Sequence, residues 1–198
     1  MSFTGNTEEG QMDLGNIAVF FPGIGYTIDR PLLHYASRLM QSYGYERVFA
    51  GYGQIPVRIE PGSDRVKEAL SPAYDRVCEQ LAEVEFEKYR DIIFIGKSIG
   101  TIIAAKFAKE HCLDIKHVWY TPLFETFSFE TARAIAFIGD DDPWSDVGKV
   151  KMTAKDMGIV MHSYPKGNHS LETGDVFTDI EIAKDVMKYT DMYVRGDR

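Results

Sequence analysis

Short apolar runs alternate along this chain with longer segments whose apolar residues recur at helical spacing. The runs cover residues 17–21, 47–50, 92–95, 116–120, 134–138 and 159–164. Their brevity and their β-branched and aromatic content predict buried strands. Between them the spacing predicts helices over 31–43, 64–86 (broken or kinked near Pro72), 98–111, 145–157 and 174–193. Regular strand–helix alternation predicts an α/β fold: a doubly wound, mostly parallel six-stranded sheet with helices on both faces. The connection 121–133 barely exceeds the roughly one dozen residues that a parallel crossover requires, which leaves no room there for an inserted lid. Ligands of such sheets gather at the carboxyl ends of the strands. Four segments that follow predicted strands are therefore of interest: FPGIGY at 21–26, GKSIG at 96–100, GDDDPW at 139–144 and KGNHS at 166–170.

Composition narrows the picture. With 198 residues, 44% hydrophobic and 26% charged, the chain matches a soluble globular protein, read as a polar segment over 1–16 followed by one domain over 17–198. The formal net charge of −8 argues against nucleic acid as a partner, since phosphate binding calls for a basic stripe. Two cysteines, Cys78 and Cys112, with no CxxC, suit a reducing cytoplasm better than a disulfide framework. The opening MSFTGNTEEGQMDLGN lacks the cationic start and apolar run of a signal peptide, and no stretch has the length of a membrane span. No membrane partner is expected.

Two chemical signatures overlap at IGKSIGT, residues 95–101. Gly96-Lys97-Ser98 ends like a phosphate-binding P-loop, and Gly96 to Gly100 fits G-x-S-x-G, the nucleophile elbow. The P-loop requires its first glycine at position 91, where Asp91 stands, and 92–95 is a strand with no slack to wrap around phosphate. An aspartate would also repel the ligand. The elbow suits its context, with a strand before Ser98 and an apolar helix after it. The Ile99 amide at the start of that helix would face a developing oxyanion.

On these residues the chain resembles the α/β-hydrolase superfamily from Ile17 onward, in the form of its small, lid-less bacterial members. The usual first two strands have no counterpart in the polar residues ahead of Ile17. The resemblance implies a Ser-acid-His order along the chain. In GDDDPW it places the acid at Asp142, with Asp140, Asp141 and Asp146 as rivals; Asp146 or Ser145 would also serve as a helix cap. In KGNHSL it places the base at His169, whereas His34, His111, His117 and His162 fall in or beside helices and strands. FPGIGY resembles the family's oxyanion loop, placing the second amide at Ile24, with Pro22 where a histidine is usual. The plainer reading of that segment is a turn into a helix capped by Asp29, with Pro31 in its first turn. A dinucleotide fingerprint fails there, because Ile28 occupies the third glycine position and the second strand carries no acid.

Tyr26, Lys97 and Arg30 are expected at the mouth of a pocket, with Lys97 either on a solvated rim or favouring an anionic substrate. Trp144 and Phe124 would form an apolar wall or belong to the core. His111, Cys112, Asp114 and His117 straddle a helix end and a strand and are not expected to converge on a metal. The expectation is a cytoplasmic serine hydrolase acting on a small-molecule ester or thioester. Ser98, His169 and Asp142 would form its triad, with Ile24 and Ile99 as amide donors and no cofactor. Peptide cleavage and a non-catalytic binding role are the alternatives.

Overall fold

Successive side chains of a strand point to opposite faces, and here both faces of the central strands are apolar. In β1 (Asn16–Phe21), Ile17, Val19 and Phe21 enter one cluster while Ala18 and Phe20 enter another. A strand buried on both sides must be covered by two helical layers. The computed structural model describes residues 15–53, 66–129, 131 and 133–196. After β1 come α1 (Pro31–Ser42), β2 (Glu46–Phe49), α2 (Val66–Leu81), β3 (Asp91–Lys97), α3 (Ile99–Glu110), β4 (Lys116–Tyr120), β5 (Ala134–Gly139), α4 (Val147–Asp156), β6 (Val160–Tyr164) and α5 (Val176–Arg195). Short 3-10 turns occupy Phe86–Lys88 and Phe124–Phe129.

The six strands lie in the order β2-β1-β3-β4-β5-β6, and every pairing is parallel. Leu81 of α2 and Ile103 and Phe107 of α3 cover Val19, Phe21 and Phe94 on one face. Val150 and Ala154 of α4 extend that layer over Trp119, Ala136 and Ile138. On the other face, Leu33 and Met40 of α1 and Val186 of α5 share a cluster with Phe20, Ile95, Val118 and Phe137. Each large apolar side chain fully buried this way contributes roughly 1.5–3 kcal/mol, so the two layers dominate the stabilisation. The strand order reverses between β1 and β3, and the carboxyl ends of these two strands form the switch-point rim.

Strands and helices stand where the periodicity put them, to within a residue or two at most boundaries. The second helix is the main difference. It runs unbroken through Pro72 to Leu81, with 86–88 as a separate turn, and its expected start at 64 falls outside the described residues. A proline inside a helix costs about 3 kcal/mol; burial of Ala73, Tyr74, Val77 and Leu81 offsets that loss. Most of the expected polar segment 1–16 also lies outside the described residues. The β4–β5 crossover is filled by the 3-10 turn Phe124–Phe129, and no cap domain interrupts the described strands. No described helix is long and apolar enough to cross a membrane.

His117 in β4 is buried between Phe94 and Trp119, and neither ring nitrogen has a hydrogen-bond partner among the described residues. Burial pushes its pKa from 6.5 down to about 3. Below pH 6.5 the unfolded chain binds a proton that the native state refuses, so stability falls as pH drops from 6.5 toward 3. Replacing His117 by Phe should flatten that dependence by up to about 1.4 kcal/mol per pH unit. Urea denaturation of both proteins across this range checks it; parallel slopes would refute the assignment.

Candidate active site

The turn between β3 and α3 is tight because α3 starts against the end of β1. A Cβ on Gly100 would lie 2.1 Å from the Phe21 carbonyl oxygen and 2.5 Å from that of Pro22. Ser98 takes the bend at φ 55, ψ −124, a conformation that costs a non-glycine residue on the order of 1–3 kcal/mol. Its backbone is held at both ends. The Ser98 amide donates to Tyr120 O (3.0 Å), and Ser98 O accepts from the Thr101 amide (2.9 Å) and the Thr101 hydroxyl (2.7 Å). Thr101 Oγ1 lies 2.6 Å from Thr126 Oγ1 in the 3-10 turn. Neither threonine stands out in the sequence; a hydroxyl residue three positions after a strand-to-helix turn is the signal that would have found Thr101.

Two further loops meet this turn. Gly139 ends β5, and a Cβ there would lie 2.0 Å from the Gly167 carbonyl oxygen. The loops after β5 and β6 therefore run in contact, joined by a bond from the Asp141 amide to Gly167 O at 3.0 Å. Asp142 and His169 are brought together as a result. His169 Nδ1 lies 2.7 Å from Asp142 Oδ2, and His169 Nε2 lies 2.8 Å from Ser98 Oγ. With the carboxylate as acceptor, Nδ1 carries the proton and the Ser98 hydroxyl donates to Nε2. Asp142 Oδ1 accepts from the Trp144 amide at 2.8 Å, and its side chain is wholly buried. The His169 loop is closed by Asn168, whose Oδ1 accepts from the amides of Ser170 (2.7 Å) and Glu172 (3.2 Å).

Burial first, and Lys97 second, hold the His169 pKa below its usual 6.5, against the opposing pull of Asp142. The other acids of the cluster face elsewhere. Asp140 pairs with Lys151 at 2.6 Å, and Asp146 caps α4 by accepting from the Lys149 amide at 3.0 Å. The remaining histidines are packed by aromatic rings: His111 on Phe107, His162 on Phe137 and Tyr189, His34 against Tyr35, and His117 in the core. Asp114 pairs with Arg133 instead of meeting His117.

The loop after β1 folds back on itself through bonds from Gly23 N to Tyr26 O (3.1 Å) and from Tyr26 N to Gly23 O (3.3 Å), leaving Ile24 at the exposed tip. Pro22 takes no part in that closure. Among the described residues, neither the Ile24 nor the Ile99 amide has a hydrogen-bond acceptor. Two expectations need correction. Asp29 does not cap α1: Arg30 is the N-cap residue, without a side-chain bond, and the Tyr26 hydroxyl accepts from the Leu32 amide (3.1 Å). Tyr26 is thus buried as a cap from outside the helix, and burial raises its pKa to about 12. Lys97 is not on a solvated rim but 1% exposed, because β3 turns it under the loop after β1. Trp144 is half-buried, its ring 5.5 Å from the His169 ring and inclined at 30°. Phe124 lies under the Lys149 ammonium, 3.5 Å away.

No family model matches the chain, and a search of curated proteins finds no match. Solved structures do match. An α/β serine hydrolase homologue from Coxiella burnetii superposes with TM-score 0.64 at 16% identity, covering 91% of this chain and 87% of that one. Est1E from Butyrivibrio proteoclasticus gives 0.61 at 10% identity, over 94% and 90%. The esterase Pf2001 from Pyrococcus furiosus gives 0.53 at 11% identity, over 90% and 82%. The fold is that of the α/β hydrolases, with no cap domain among the described residues.

Replacing Gly100 by Ala should destabilise the protein by about 3 kcal/mol, since the new methyl meets backbone rather than a movable side chain. A thermal melt within a degree of wild type would show that α3 is not held as closely as described.

Proposed function

We propose that this protein is a serine hydrolase that transfers the acyl group of a small ester or thioester to water through an acyl-enzyme. The observation that carries the reading is the unbroken relay Ser98 Oγ–His169 Nε2 (2.8 Å) and His169 Nδ1–Asp142 Oδ2 (2.7 Å). In this reading Ser98 Oγ attacks the acyl carbon as its proton passes to Nε2, and the buried Asp142 carboxylate stabilises the imidazolium through Nδ1–H. The amides of Ile24 and Ile99 receive the developing oxyanion, and the α3 N-terminus adds its positive dipole end. Collapse of the tetrahedral intermediate breaks the bond to the alkoxide or thiolate, which leaves with the proton from Nε2. Water then attacks the acyl-serine, giving its proton to Nε2. A second collapse releases the acid and returns the proton to Ser98. Each proton transfer uses a group already within hydrogen-bond reach.

Esters and thioesters are preferred over amides because their leaving groups need less protonation. The half-buried Trp144 ring beside His169 offers an apolar contact for the substrate.

Ser98→Ala and His169→Ala should each lower kcat by roughly 10⁴ or more, and the double variant should lose no more than either alone. Hydrolysis of acyl esters of graded chain length gives the rates; losses that add would speak against a unit. A fluorophosphonate probe should label wild type and not Ser98→Ala, whereas a binding protein on this frame would leave both unlabelled. The base must be unprotonated to act, and its pKa is held below 6.5. Activity should therefore rise with pH along a limb whose midpoint lies below 6.5, as a pH–rate profile will test.

A further inference from the structure

An ammonium taken out of water loses several kcal/mol of solvation, so a buried lysine ordinarily has a carboxylate beside it. Lys97 does not. It is 1% exposed, and among the described residues no carboxylate oxygen lies within 4.0 Å of its Nζ. Its direction follows from strand alternation: Ile93 and Ile95 face the layer of α1 and α5, and Lys97 follows them. There its Nζ stands 4.9 Å from the centroid of the Tyr26 ring, a favourable place for a cation. Its stem fills the space beside Gly23, where an added Cβ would come within 3.3 Å of Lys97 Cγ. The loops after β5 and β6 contribute the charged and titratable groups that act on it, Asp142, His169 and Glu172.

We propose that Lys97 is a positioning residue for the Ser98–His169 pair: its buried ammonium, backed by the Tyr26 ring, acts electrostatically on the imidazole, and its stem seats the Gly23–Tyr26 turn against Ser98. The inference rests on the hydrolase reading above. A fixed positive charge nearby disfavours the imidazolium and so keeps the base available at lower pH. Burial lowers the Lys97 pKa to about 7, with Asp142 and Glu172 opposing it. The charge is therefore present across the acid limb of His169 and is lost above it, where it would otherwise oppose the imidazolium formed during attack.

The test is the rate of fluorophosphonate labelling from about pH 5 to about pH 9, alongside the NMR titration of the His169 ring. Lys97→Met keeps the stem and deletes the charge. It should move the acid limb and the His169 titration upward, with a several-fold loss of rate on the acid side and convergence with wild type above about pH 8. Lys97→Arg should return both midpoints toward wild type, and Lys97→Ala should lower the rate at every pH by loosening the turn. If Lys97→Met does not fold, Lys97→Gln is the neutral variant. Midpoints that stay put in the neutral variant, or move equally in Lys97→Arg, overturn the proposal. A wild-type protein that never labels would instead sink the hydrolase reading, while the NMR titration would still report on Lys97.

Discussion

How closely the first turn of α3 lies against the end of β1 governs the carboxyl rim of the sheet. The Phe21 carbonyl oxygen occupies the space that a side chain at Gly100 would need, and a Cβ on Gly96 would meet the Thr101 backbone at 2.8 Å. With helix and strand this close, the chain has one residue in which to reverse. That residue is Ser98, in a backbone conformation that costs free energy and from which its hydroxyl reaches His169 Nε2. The cost is met locally by Thr101, whose amide and hydroxyl both hold Ser98 O, and by the Tyr120 carbonyl of the neighbouring strand.

The same kind of close approach sets the rest of the site. Gly139 and Gly167 let the loops after β5 and β6 touch, and that contact puts Asp142 within bonding distance of His169. Once assembled, the groups act on one another through a medium that screens weakly. Asp142 is wholly buried yet has two donors, the Trp144 amide and the imidazole. His169 feels burial and Lys97 on one side and Asp142 on the other. The protonation of His169 is therefore set by the desolvated cluster around it and not by the imidazole alone.

Much of this was legible in the residue pattern. Buried strands of a parallel sheet read as short apolar runs whatever covers them, so all six were found. Gly96-Lys97-Ser98-Ile99-Gly100 between strand and helix, and an aspartate and a histidine each just past a later strand, pointed to the residues that now lie together. Three features were not legible. Pro72 fails to break α2 because burial of that helix outweighs its local penalty, a tertiary effect that propensity does not contain. The cap of α1 is Tyr26, six residues before the amide it serves, instead of Asp29. Lys97 reads as a surface residue by composition and becomes interior because it continues the inward face of β3.

The order of residues along the chain determined which chemistry could be assembled: a hydroxyl on a strand-to-helix turn, then an acid, then an imidazole, each after a strand. Local periodicity suffices for that, because strand and helix are short-range patterns. Tertiary packing alone decided that the three meet at distances of 2.7 and 2.8 Å, which carboxylate of the cluster faces the imidazole, and that a lysine is shut in behind them. Those outcomes depend on contacts between segments tens of residues apart, and on desolvation, which exists only once the layers have closed.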